Sequence, residues 1–239
     1  MRAPFPVAVL LVLAVFPANG WTGTPGINLS WNSCATDVAS SQRCYTCTGT
    51  AGAPFVFQGS FRPALTMGFG SCTATLDITF MDASGTATAM PDFWSMNTGN
   101  CAAPHFHAVD PDTTGGCEEP SIYVGLTSGG YVVSYSTGRL RMYVNWATDV
   151  TPPPLVAGRL YPAFAMSMDA DGGIAAGCAG CATGAMIVLK EIDVYGFGAE
   201  YITTPDQRNW IQWQGTSSYP CSITPTRNAT WGAIKSMYR

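Results

Sequence analysis

RLRMYVNWA, residues 139–147, alternates without a break. Leu140, Met142, Val144 and Trp146 fall on one side, and Arg139, Arg141, Tyr143 and Asn145 on the other. Successive side chains of a strand point to opposite faces, so this period of two reads as a strand with one buried and one wet face. YVVSYS (131–136) precedes it, and Ser136-Thr137-Gly138 is the turn expected to join the two as a hairpin.

The same pattern spreads outward along the chain. In CTATLDITF (72–80), Leu76, Ile78 and Phe80 oppose Thr75, Asp77 and Thr79. GINLSW (26–31), FVFQGSF (55–61), AFAMSMDA (163–170) and NWIQWQG (209–215) are further strands. AMIVLKEIDVYG (185–196) has few polar breaks, which places its middle inside a sheet. Gly, Pro, Ser and Thr interrupt nearly every window long enough for a helix. The expected fold is all-β, with about 9–10 strands in a single disulfide-braced β-sandwich of jelly-roll or carbohydrate-binding-module type. The Pro152-Pro153-Pro154 run reads as a crossover between strands, so residues 21–239 are expected to form one domain.

The first twenty residues read as a secretory signal peptide. Arg2 supplies the charge, Val7 to Phe16 the apolar run, and Ala18 and Gly20 the small residues before cleavage. The run is shorter than the roughly 20 residues a membrane span needs, and no later segment is apolar enough to serve. The chain is therefore expected to be exported, where disulfides are the default state of cysteine. Nine cysteines are present, so one must remain unpaired within the chain. The bridge candidates are Cys34, Cys47, Cys101, Cys117, Cys178, Cys181 and Cys221, with Cys101 and Cys117 expected to pin residues 101–117 as a loop.

Charged residues make up 11% of the chain, well under the usual quarter or so. No basic cluster exists to follow a phosphate backbone, which argues against nucleic acid as a partner. Solubility must rest on hydroxyls, amides and glycine.

Both ends carry a more specific signal. The stretch GINLSWNSC near the start and PTRNATWGAIKSMYR at the end, with NWIQWQG and CAGC between, are similar to a group of exported bacterial proteins. That group begins with I-N-L-S-W-N-x-C and ends in R-N-x-T-W-G-x-[IV]-K-S-[LM]-Y-R. The resemblance implies a Gram-negative, extracellular setting and a cysteine-bridged β fold, and implies no activity. This chain departs from the group at Met186, where similar sequences carry cysteine, and at Cys44 and Cys72, which they lack.

Five constellations bear on chemistry. His105 and His107, the two histidines, project to one side of an extended segment, and Asp110 or Asp112 could complete a zinc or copper site. The competing reading is a polar surface loop with solvated rings. Asp169 and Asp171 in DADGG resemble half of a calcium loop but lack the downstream glutamate. CAGC (178–181) leads into a strand rather than a helix, so it reads as structural rather than redox-active. No G-x-S-x-G elbow is present, and Glu191 with Asp193 is the nearest approach to a glycosidase carboxylate pair. Finally, Trp210, Gln212 and Gln214 share one face of a strand, with Ile211 and Trp213 on the other. An exposed indole flanked by amides is the chemistry of a sugar platform.

These readings favour a secreted, non-catalytic structural or binding module of adhesion type, with a glycan or another surface protein as partner. A carbohydrate-binding module comes second. A metal-dependent hydrolase using His105 and His107 comes third.

Overall fold

The computed structural model describes residues 24–34, 41–44, 54–97, 99–111, 117–118, 122–123, 127–149, 151–169 and 178–214. The expected signal peptide, Cys47, Cys221, Asp112, Asp171 and the C-terminal motif lie outside them.

Among the described residues the strands are β1 (Gly26–Trp31), β2 (Gln42–Arg43), β3 (Phe55–Arg62), β4 (Ser71–Met81), β5 (Phe106–Val109), β6 (Thr127–Ser136), β7 (Arg139–Thr148), β8 (Tyr161–Met168), β9 (Gly184–Gly196), β10 (Gly198–Ile202) and β11 (Trp210–Trp213). They make two sheets. The smaller has the order β1-β3-β8-β5, and the larger β2-β11-β9-β4-β7-β6. The outer side of β9 is shared, because β11 pairs with residues 185–188 and β10 with 192–196. All pairings are antiparallel except β2 with β11.

The alternation of 139–147 reads directly onto this frame. Leu140, Met142 and Val144 are fully buried, as are Leu76, Ile78, Phe80, Ile187 and Leu189. β7 lies between β4 and β6 with the expected hairpin: Ser136 pairs with Arg139 across Thr137-Gly138. The inner faces close on one another through aromatics. Trp213 of the larger sheet packs against Trp31 at 6.2 Å and Phe55 at 5.6 Å, both from the smaller sheet. Trp94, from a single 3-10 turn at Asp92–Trp94, fills the gap between Phe80 and Phe106. Aromatic contacts of this kind add about 0.5–1.5 kcal/mol each beyond area burial. Two strands depart from an all-round apolar pattern. β1 and β8 are buried at every position, polar ones included, and Asn28 bonds Asp206 and the Gln207 amide beneath the 203–208 segment.

The expected pairing of Cys101 with Cys117 is overturned. Cys101 bridges Cys178, and Cys34 bridges Cys117. Residues 101–117 do not form a loop pinned at its neck, because β5 runs through them as the edge of the smaller sheet. A strand of this length spans about 13 Å and carries the two cysteines apart. Each then pairs with the cysteine its own end of the strand meets. Cys44 and Cys181 are also disulfide-bonded, so CAGC is structural as expected. Among the described residues Cys72 is the free thiol.

Candidate functional site

The sequence VYGFGAEYI (194–202) makes the hairpin of β9 and β10. Its shape is set by two glycines. A Cβ on Gly196 would run into the Gly68 carbonyl, so only glycine lets β9 approach that close. Gly198 sits at φ +115°, outside the range of L side chains. Between them Phe197 is held at the tip, 89% exposed. Ile192, Val194 and Ile202 point inward and anchor the hairpin in the core. The alternate positions therefore point outward: Tyr195, Asp193 and, directly opposite Asp193, Tyr201.

Register extends this surface across the sheet. One row runs Asn145, Thr73, Asp193, Tyr201, and the next runs Tyr143, Thr75, Glu191. Asn145 donates to the Thr73 hydroxyl at 2.9 Å. Further along the same face, Arg141, opposite Asp77, and Arg139, opposite Thr79, both pair with the Asp77 carboxylate, which settles the charge at that end. Tyr201 is 68% exposed, and Tyr143 and Tyr195 are both 39% exposed. The outer face thus carries phenol rings, two carboxylates, a hydroxyl and an amide in fixed positions.

Asp193 is the perturbed group. Burial first, and the neighbouring Glu191 second, push its carboxyl above the usual range, while a hydrogen bond with Tyr195 opposes them. Its Oδ1 is buried without a hydrogen-bond partner.

A second polar cluster is structural. The Arg62 guanidinium donates twice to Glu118, at 2.9 and 2.6 Å, to Asp206 at 2.9 Å and to the Gly158 carbonyl at 2.8 Å. It is 7% exposed and ties β3 to three separate loops. Cys72 is buried between the Tyr123 hydroxyl at 3.0 Å and the Ala163 carbonyl at 3.2 Å. Burial pushes its thiol up to about 12, so it is inert as a nucleophile at ordinary pH.

The remaining sequence candidates fall as follows. His105 and His107 do converge, and the carboxylate set against both is Asp169, the first residue of the calcium-loop-like DADGG stretch. Its Oδ2 lies 3.4 Å from His107 Nε2 and 3.8 Å from His105 Nδ1. Register explains this: β5 pairs with β8 so that His107 faces Ser167, and the Asp169 amide bonds the His105 carbonyl at 3.0 Å. Asp110 is exposed beyond the far end of β5. Among the described residues, no three His, Cys, Asp or Glu side chains are arranged to hold a metal ion.

Trp213 is core and Trp210 is partly exposed, as the alternation of 209–215 implies. The proposed sugar platform is not assembled there, however. Gln212 and Gln214 are buried, with their amides on the Gln214 and Cys181 carbonyls, and Arg208 lies 5.8 Å from the Trp210 ring centroid. The hairpin aromatics were passed over in the sequence. Their signal was the Y-G-F-G spacing, where an aromatic sits between glycines and buries nothing.

No family model and no curated protein matches the chain. Among solved structures it is similar to the sixth cohesin of Acetivibrio cellulolyticus scaffoldin B, solved in complex with a mutant Cel5 dockerin. The TM-score is 0.31 at 11% identity, covering 79% of this chain and 97% of that one. At that score the likeness decides neither fold nor ligand.

Proposed function

We propose that this protein is a non-catalytic binding module of a cell surface or the surrounding medium, and that it takes a carbohydrate on the outer face of the larger sheet. The observation that carries this reading is the β9–β10 hairpin, which sets Tyr195 and Tyr201 beside the Asp193 carboxylate and holds Phe197 exposed at its tip. Exposed aromatics on one rigid hairpin are costly to leave in water and serve as stacking surfaces for apolar ligand faces. Asp193, Glu191, Thr73 and Asn145 supply the acceptors and donors that hydroxyls need, and sugars combine both kinds of surface. The described disulfides, together with the leader-like first twenty residues, support export. Among the described residues no helix is long and apolar enough to cross a membrane.

A glycan array probed with the parent protein and with Tyr195→Ala/Tyr201→Ala tests the reading. Retention of a defined class of neutral glycans, lost in the double variant, is expected. An array on which the parent binds nothing, or on which the variant binds equally well, would overturn it.

A further inference from the structure

The two sheets end in very different edges. β1 is covered by the 203–208 segment through Ile27 N to Thr204 O, Leu29 N to Arg208 O and Asp206 N to Ile27 O. β2 and β5 are two and four residues long. β6 is ten residues long and pairs on one side only, with β7.

Which of its groups are unpaired follows from register. The Thr148 amide reaches the Gly70 carbonyl at 3.1 Å, so the even residues of β7 bond toward β4 and the odd ones toward β6. Across the hairpin, the main-chain N–H and C=O of Gly129, Tyr131, Val133 and Tyr135 therefore point away from the sheet. Among the described residues none of them has a backbone partner on that side.

Natural edges are blunted by charge, proline, bulges or short length. TSGGYVVSYS has no charged residue and no proline, and its pairing with β7 runs without a register shift. The edge is also held in place from behind. The Tyr131 hydroxyl bonds the Phe106 carbonyl at 3.3 Å, and the Tyr135 hydroxyl accepts from the Met96 amide at 2.8 Å. On its outer face Val132 is 68% exposed, and the space beside Gly130 is open.

We propose that β6 is the interface for a second copy of this chain, joined edge to edge as an antiparallel pair about a two-fold axis at Val132. An isologous contact must be self-complementary, and of the antiparallel registers that match the outward main-chain groups of β6, the one centred on Val132 also sets the exposed valine against its own counterpart. Gly129, Tyr131, Val133 and Tyr135 face outward, so antiparallel pairing must match odd residues with odd. Centring on Val132 sets Tyr131 against Val133 and Gly129 against Tyr135, and the unpaired main-chain groups satisfy each other. Val132 then meets its own counterpart at a non-hydrogen-bonded site, where side chains approach most closely, and each covers the other's exposed surface. Absence of charge on β6 removes the like-charge repulsion that a self-paired strand would otherwise suffer. The joined sheets form one continuous surface bearing two copies of the outer face.

Sedimentation velocity of the parent, Val132→Lys, Val132→Cys and Ser134→Cys proteins tests this. These positions lie on the outer face of an edge strand, so the fold tolerates the changes. The parent is expected to sediment as a dimer, and Val132→Lys as a monomer or with a dissociation constant raised at least tenfold. Under mild oxidation Val132→Cys is expected to cross-link between chains and Ser134→Cys is not, because Ser134 faces Gly130 in this register. Cys72 does not interfere, being buried. A parent that stays monomeric at every concentration, a dimer indifferent to Val132→Lys, or equal cross-linking of the two cysteine variants would each overturn the proposal.

Discussion

Replacing Arg62 with Met removes the one cation that holds four segments together. Arg62 serves Glu118, Asp206 and the Gly158 carbonyl from a side chain only 9% exposed. The two carboxylates are not equivalent. Glu118 is 30% exposed and rehydrates, so its loss is screened and small. Asp206 is 8% exposed and keeps only the Asn28 amide at 3.2 Å. Stranding one member of a buried pair costs about 3–5 kcal/mol. For a chain of this size that corresponds to a fall in Tm of about 6–20 °C. Urea denaturation of Arg62→Met, Asp206→Asn and the double variant measures it. The double variant is expected to recover part of the loss, because no buried charge is left alone. A cost below about 1 kcal/mol for Arg62→Met, or strict additivity in the cycle, would refute the reasoning. The same network sets a pH dependence. Arg62 holds the Glu118 carboxyl below its usual range, chiefly by hydrogen bonding, and the Leu160 amide adds to it. A depressed carboxyl contributes stability that is present above its unfolded value, about 4.3, and lost as pH falls through the lower folded value. The parent should therefore lose stability below about pH 4.3, and Arg62→Met should lose less over that window.

Leu140→Ala empties a fully buried site in β7 and should cost about 2–5 kcal/mol by denaturant titration; a smaller loss would mean that the sheet collapses around it. Cys72 should resist iodoacetamide at pH 8 in the folded protein and react once per chain in denaturant, as mass spectrometry would show; ready labelling of the native protein would contradict its burial. Replacing His105 and His107 together with Ala should change stability by about 1 kcal/mol or less, since their contacts with Asp169 are long, at 3.8 and 3.4 Å, and partly exposed; a Tm that chelator lowers in the parent but not in the variant would reveal a bound metal instead.

What could be read in advance depended on whether one face met water. β7 was legible residue by residue because Arg139, Arg141, Tyr143 and Asn145 mark its wet side. The start of β6 was missed because Gly129-Gly130 looks like a turn, whereas Gly129 is glycine because a Cβ would strike the Trp146 ring. β5 and β10 are too short to show a period, and both rely on pairing for their existence. Disulfide partners were illegible for a different reason. Cys34 and Cys117 are 83 residues apart, and Cys101 and Cys178 are 77 apart. Only the packing of the sheets brings them together. The same holds for His107 and Asp169, and for Arg62 with Asp206. The sugar platform around Trp210 was argued from alternation, which was right, but not from what covers the polar face of β11. Gln212 and Gln214 are buried and turn their amide N–H groups to main-chain carbonyls.

The most direct test of the ligand face is calorimetric titration with the strongest-binding glycan from the array. Tyr201→Ala removes a ring that is 68% exposed and directly opposite Asp193. An aromatic stacking contact worth about 0.5–1.5 kcal/mol corresponds to a roughly two- to tenfold loss of affinity. Tyr201→Ala is therefore predicted to bind about two- to tenfold more weakly than the parent, with His105→Ala/His107→Ala unchanged. Full affinity in Tyr201→Ala, or a loss that follows the histidines instead, would contradict the account.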